Sequence, residues 1–84
     1  MPESVEDRVK KVVIKVLKVD AARIKPQSRF AADLGAESIQ SVELVAAFEE
    51  EFDITMNEDD ALAVETVGGA VDFIGKCVRE QHEE

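Results

Sequence analysis

Eighty-four residues, 45% hydrophobic and 35% charged, have the proportions of one small globular domain spanning residues 1–84, not of a disordered tail. With no Trp, no Tyr and four Phe, the core must be built from Val, Leu, Ile and Ala, and a single cysteine excludes an internal disulfide. The net charge of -9 is concentrated in residues 30–75, which carry twelve acids and no Lys or Arg; such a surface repels nucleic acid and anionic membrane and attracts basic proteins.

Val5, Val9, Val12, Val13, Val16 and Leu17 recur at steps of three and four, the period of one helical face. They predict a first helix from about Glu3 to Lys18, with Lys10, Lys11, Lys15 and Lys18 off the stripe. Its acidic start and basic end suit the helix dipole. A long connection then runs from Val19 to Glu37, with Pro26 inside it and Gly35 near its end. Loops of this length need anchors, and Ile24, Phe30 and Leu34 are expected to plug into the core.

The second helix is expected to begin at Ser38, with serine as its N-cap accepting an amide bond. Its apolar positions split into two groups. Leu44, Phe48 and Phe52, with Val45 beside them, form one stripe; Ile39, Val42 and Ala46 form another, roughly 140° around the helix. A small bundle has no room to bury both, so the smaller stripe, flanked by Glu43, Glu49 and Glu50, reads as a docking face for another protein. The alternative is that Ile39, Val42 and Ala46 tuck under the long loop.

Asn57 followed by Glu58, Asp59 and Asp60 predicts a cap and acidic first turn for a short third helix ending near Val64. A calcium loop starting at Asp53 fails, because Glu58 stands where glycine is required and Val64 where a bidentate acid is required. Thr66 caps a last helix whose stripe is Val67, Ala70, Val71, Ile74 and Val78, with Gly68, Gly69 and Gly75 lowering its propensity. Cys77 is expected on the core side, and Gln81 to Glu84 are expected to fray.

Catalysis is hard to assemble from this list. His82 is the one histidine, one Cys and one His make no zinc site, and there is no phosphate loop. The expectation is a protein with no catalytic activity and no metal.

The run Asp33-Leu34-Gly35-Ala36-Glu37-Ser38-Ile39 is followed by Val42-Glu43-Leu44-Val45, then Phe48-Glu49-Glu50-Glu51-Phe52-Asp53-Ile54, then Thr66-Val67-Gly68-Gly69-Ala70-Val71-Asp72-Phe73-Ile74. Together they closely resemble the bacterial acyl carrier proteins over nearly the whole chain. The resemblance implies an all-α four-helix bundle with a long loop between the first two helices and a short third helix. It implies that Ser38 carries a 4′-phosphopantetheine arm, donated by coenzyme A through a separate transferase. The arm would hold acyl groups as thioesters and deliver them between enzymes of fatty-acid or related lipid or polyketide synthesis. A phosphodiester at a helix N-terminus is favoured by free amides and the dipole.

By the same resemblance, enzymes with basic patches would meet Glu37, Ile39, Gln40, Val42 and Glu43, with Ala46, Glu49, Glu50 and Glu58 completing the surface. An acyl chain would lie near Leu44, Phe48, Val64 and Ile74. The family usually has Asp before the serine, where this chain has Glu37, and charged residues where it has Leu62 and Ala63; these departures leave room for a specialised carrier. A peptidyl or aminoacyl carrier and an unmodified acidic adaptor are the alternatives. No apolar run approaches the ~20 residues of a membrane span, and Met1-Pro2-Glu3-Ser4 does not read as a signal peptide, so a cytoplasmic monomer without membrane insertion is expected.

Overall fold

The computed structural model describes residues 4–82. Four α-helices follow one another: α1 (Val5–Leu17), α2 (Ser38–Phe52), α3 (Glu58–Leu62) and α4 (Val67–His82), with a short 3-10 turn at Ala21–Arg23 in the α1–α2 crossover. No strand is formed among the described residues. The fold is the expected all-α bundle with a long first connection and a short third helix.

α1 starts where Ser4 Oγ accepts the amide of Asp7 (3.1 Å) and stops at Lys18, which takes a left-handed conformation (φ 56°). The expected start at Glu3 lies outside the described residues. Val9, Val12 and Val13 are buried and face α2 and α4. Arg8 fastens α1 to the end of α2: its Nε donates to the Glu51 carboxylate (2.9 Å), Nη2 donates to the Glu51 carbonyl, and the guanidinium lies 4.4 Å from the centroid of the Phe52 ring.

Ile24, Phe30 and Leu34 plug the crossover into the core as expected, all three being buried. The backbone of the crossover also bonds the beginning of α4. A helix leaves its first amides without internal partners. Here Ser28 O accepts from Val67 N (2.9 Å) and Pro26 O from Gly68 N (2.8 Å), while Thr66 Oγ1 accepts from Gly69 N (3.0 Å). Phe30 N donates in return to Glu65 O (3.0 Å). Gly68 is required for this approach, since a Cβ there would stand 2.9 Å from Pro26 O. The buried Ser28 hydroxyl braces the same loop by donating to Arg23 O and accepting from Lys25 N.

α3 begins behind Asn57, whose Oδ1 accepts from Asp60 N (3.1 Å), and ends at Leu62, two residues short of the expected limit. The expected fraying does not begin at Gln81. Its side chain exchanges two bonds with the Thr55 backbone (2.8 and 2.7 Å), and His82 Nε2 donates to Asp53 O (2.7 Å), so the end of α4 fastens the α2–α3 connection. Glu83 and Glu84 lie outside the described residues.

Cys77 is buried with Ile74 and Ala70 on the inner face of α4. Burial, reinforced by the nearby Glu80 carboxylate and opposed by Lys76, pushes its thiol pKa up. The fold therefore prefers the neutral thiol, and this contribution to stability is lost as pH rises through the raised value. A maleimide at pH 8 should label Cys77 only as fast as the domain opens, and rapidly in urea; immediate labelling of the folded chain would contradict this burial.

The glycines of α4 should separate in thermal melts. Gly68→Ala should lower Tm because the added methyl meets backbone. Gly75→Ala should raise stability by about 0.5–1 kcal/mol, since its Cβ would meet nothing nearer than 3.8 Å.

Candidate functional site

The junction between crossover and α2 is held from behind and left open in front. Asp33 Oδ2 accepts from Arg29 N (2.7 Å), and Asp33 N and Leu34 N both return to Arg29 O (3.0 Å each). Arg23 Nη2 adds a bond to Asp33 O (2.8 Å). Gly35 then takes φ 73°, a left-handed conformation that side chains with a Cβ rarely adopt, and Ala36 N returns to Phe30 O (2.8 Å). Leu34 is buried and Ala36 half-buried, whereas Glu37 and Ser38 are exposed.

Ser38 is not the N-cap. Glu37 has the extended backbone of that position, and Ser38 is the first residue inside α2. Gln40 Oε1 accepts from Glu37 N (2.9 Å), the return arm of a capping box, so a glutamate–glutamine pair does the work expected of the serine. The Ser38 hydroxyl has no hydrogen-bond partner among the described residues. It is a free nucleophile-bearing group at the positive end of a 15-residue helix.

Beyond it, the two stripes of α2 part as the sequence pattern implied. Leu44, Phe48 and Phe52 are buried, while Ile39 is 68% exposed, Val42 48% exposed and Ala46 exposed. The crossover does not cover the second stripe. Leu62 of α3, 40% exposed, is a further large apolar side chain in contact with water, and sequence periodicity gave no sign of it because α3 is too short to show a stripe.

The carboxylates differ in their surroundings. Glu37, Glu43, Glu50 and Glu58 are exposed. Glu49 is half-buried, and its Oε2 accepts the amide of Met56 (2.8 Å), tying the α2–α3 connection to the helix. It has a structural task that its place in the stripe pattern did not reveal.

A cleft of about 150 Å³ opens between α2, α3 and α4. Leu44, Phe48, Val64 and Ile74, the four residues named from the sequence, all line it. Phe30 from the crossover, Met56 and Phe73 join them, with Ser41 and Glu65 as the polar members. Ser41 lies one helical turn after Ser38 and so on the same side of α2, which places the exposed hydroxyl and the cleft on adjoining surface.

The family description "Phosphopantetheine attachment site" matches residues 7–74, most of the chain. The chain belongs to the phosphopantetheine-attachment family. It is a carrier protein of the acyl-carrier-like kind, and its cofactor is a covalently bound 4′-phosphopantetheine. Members of the family are carriers without catalysis of their own, and no group of His, Cys, Asp and Glu suited to a metal occurs among the described residues. The junction fits a covalent arm: it offers an exposed hydroxyl that the fold does not use, free of covering side chains, beside an apolar cleft.

Gly35 sets the direction in which the chain enters α2. A Cβ at this position would meet nothing within 4 Å, so Gly35→Ala should destabilise through backbone strain alone, by about 1–2 kcal/mol. Gly35→Asn should recover part of the loss, because asparagine tolerates the left-handed region. Equal melting of all three proteins would show that the turn has another conformation in solution.

Proposed function

We propose that this phosphopantetheine carrier holds acyl intermediates of fatty-acid or related lipid or polyketide synthesis, with Ser38 as the attachment residue. Its arm supplies a thiol that carries the acyl group as a thioester. The observation that carries this reading is the free, exposed Ser38 hydroxyl at the start of α2, next to a cleft lined largely by hydrocarbon. An aminoacyl or peptidyl cargo would bring an ammonium or amide groups against Leu44, Phe48 and Ile74, where they would lose hydration without partners.

The chain's own residues also supply the means of meeting enzymes. Ile39, Val42 and Ala46 form an exposed apolar strip, with Glu37, Glu43, Glu50 and Glu58 as exposed carboxylates around it. That combination suits the basic surroundings of an active-site mouth: charge speeds the encounter, and the small apolar strip gives a contact that still releases quickly. Gln40 and Glu49 border this surface while bonding Glu37 N and Met56 N, so they shape it as well as present it. The carrier is read as a cytoplasmic monomer that serves a transferase and several acyl-processing enzymes in turn. No helix among the described residues is long and apolar enough to cross a membrane.

Incubation with coenzyme A and a broad-specificity phosphopantetheinyl transferase tests the assignment by intact mass. The wild type should gain one arm, and Ser38→Ala should gain none while keeping its helical circular dichroism. No gain in the wild type would favour an unmodified adaptor instead.

Glu43→Lys and Glu50→Lys test the docking surface. Each should slow acyl transfer to a cognate enzyme by about tenfold at low salt, with melting almost unchanged, because exposed carboxylates contribute little to folding. High salt should erase most of the difference. Wild-type kinetics in both variants at low salt would move the docking face elsewhere.

A further inference from the structure

We propose that the groove between α1 and α2 docks a mixed-charge helix of a partner protein, whose acidic flank meets Lys11 and Lys15 and whose basic flank meets Glu50 and Glu51. This is a second docking surface. It touches the one on the exposed strip of α2 only at Glu50, and it stands whether or not Ser38 is modified.

Shape is the first argument. Arg8 near the start of α1 meets Glu51 near the end of α2, so the two helices lie side by side and antiparallel. Between them runs a groove of about 340 Å³. Val12, Val16 and Ala47 give it a hydrocarbon floor, α1 supplies Lys11 and Lys15 on one side, and α2 supplies Glu50 and Glu51 on the other. Val12 is buried and the other two floor residues are half-buried, while all four charged residues are exposed. Ala47 keeps the groove deep, since a longer side chain there would fill it. A trough between two helices is a seat for the ridge of side chains on a third.

Charge is the second argument. Residues 1–29 carry eight Lys or Arg against four acids, the opposite balance to residues 30–75. The fold uses some of these cations: Arg8 bonds Glu51, and Arg23 bonds Asp33 O. Lys15 has no partner among the described residues. On the facing wall Arg8 partly neutralises Glu51, whereas Glu50 has no partner among the described residues. Lys15 and Glu50 therefore do not pair across the floor, and each keeps its charge for an incoming group. This pattern selects one occupant. A wholly acidic segment would satisfy the lysines and be repelled by Glu50 and Glu51. A wholly basic one is drawn to the carboxylates around the exposed strip of α2. A helix with opposite charges on its two flanks pairs both walls at once. Ala47, the lining residue of α2 nearest Ser38, lies nine residues beyond it, roughly 13 Å along the helix. The partner can thus hold the chain while another protein works at the start of α2.

Three synthetic helical peptides of about 20 residues, alike in a seam of alanine and leucine, test this by titration into the isotope-labelled chain at low salt. One has glutamates on one flank and lysines on the other; the second has glutamates on both flanks and the third lysines on both. The mixed peptide should shift the amide signals of Lys11, Lys15, Ala47 and Glu50 together and to saturation, and bind there about fivefold tighter than either control. Lys15→Glu, an exposed change between residues of similar helix propensity, should leave melting almost unchanged and weaken the mixed peptide about fivefold. A mixed peptide that shifts only the Ile39–Ala46 strip, or that binds the groove no better than the controls, overturns the proposal without recourse to any variant. Wild-type affinity in folded Lys15→Glu also overturns it. Larger shifts at Lys11 and Lys15 from phosphatidylglycerol vesicles would make the surface a lipid contact and overturn it as well. Every reading is taken on the chain before any arm is added, so a failure of loading at Ser38 and a failure of this inference are told apart.

Discussion

The backbone pairing between the crossover and the start of α4 holds the rest of the structure in register. Ser28 O and Pro26 O accept the Val67 and Gly68 amides, and Glu65 O accepts the Phe30 amide in return. This exchange solves two problems at once. The exposed donors of a helix N-terminus find acceptors, and a long irregular segment is fixed by bonds as well as by its three apolar plugs. From that fixed segment the Arg29–Asp33 turn projects Gly35, and from Gly35 the chain enters α2. Phe30, which makes one of the bonds, is also a wall of the cleft. The Ser38 junction and the cleft are thus referred to the same few contacts.

Much of this was legible in the letters, and the reasons are physical. Helix positions followed from apolar steps of three and four, and the exposed strip on α2 followed from counting: two stripes on one helix exceed what a small bundle can cover. Ile24, Phe30 and Leu34 were recognisable as anchors because a loop of that length is unstable without them. The four cleft residues came from a family resemblance, and the packing of α2 against α3 and α4 brings them together.

What stayed hidden was the bonding of individual polar groups. Ser38 reads as an N-cap by residue type, yet Glu37 and Gln40 form the cap one residue earlier. Glu49 reads as a surface acid, yet it holds Met56 N. Gln81 and His82 read as a loose tail, yet they fasten the Asp53–Thr55 backbone. Gly68 reads as a weak helix residue, yet it is the one type that permits the Pro26 carbonyl to approach. Each error has the same origin. Periodicity reports which face of an element is apolar, whereas a hydrogen bond depends on where a distant backbone arrives.

The displacement of the cap from Ser38 to Glu37 has a consequence of its own. Whatever is joined to the serine oxygen is joined to an atom that bears no part of the folding energy. On the proposed assignment of Ser38, substitution at its oxygen would leave the Glu37–Gln40 cap as it is, so blank and inscribed molecules would enter α2 in the same way.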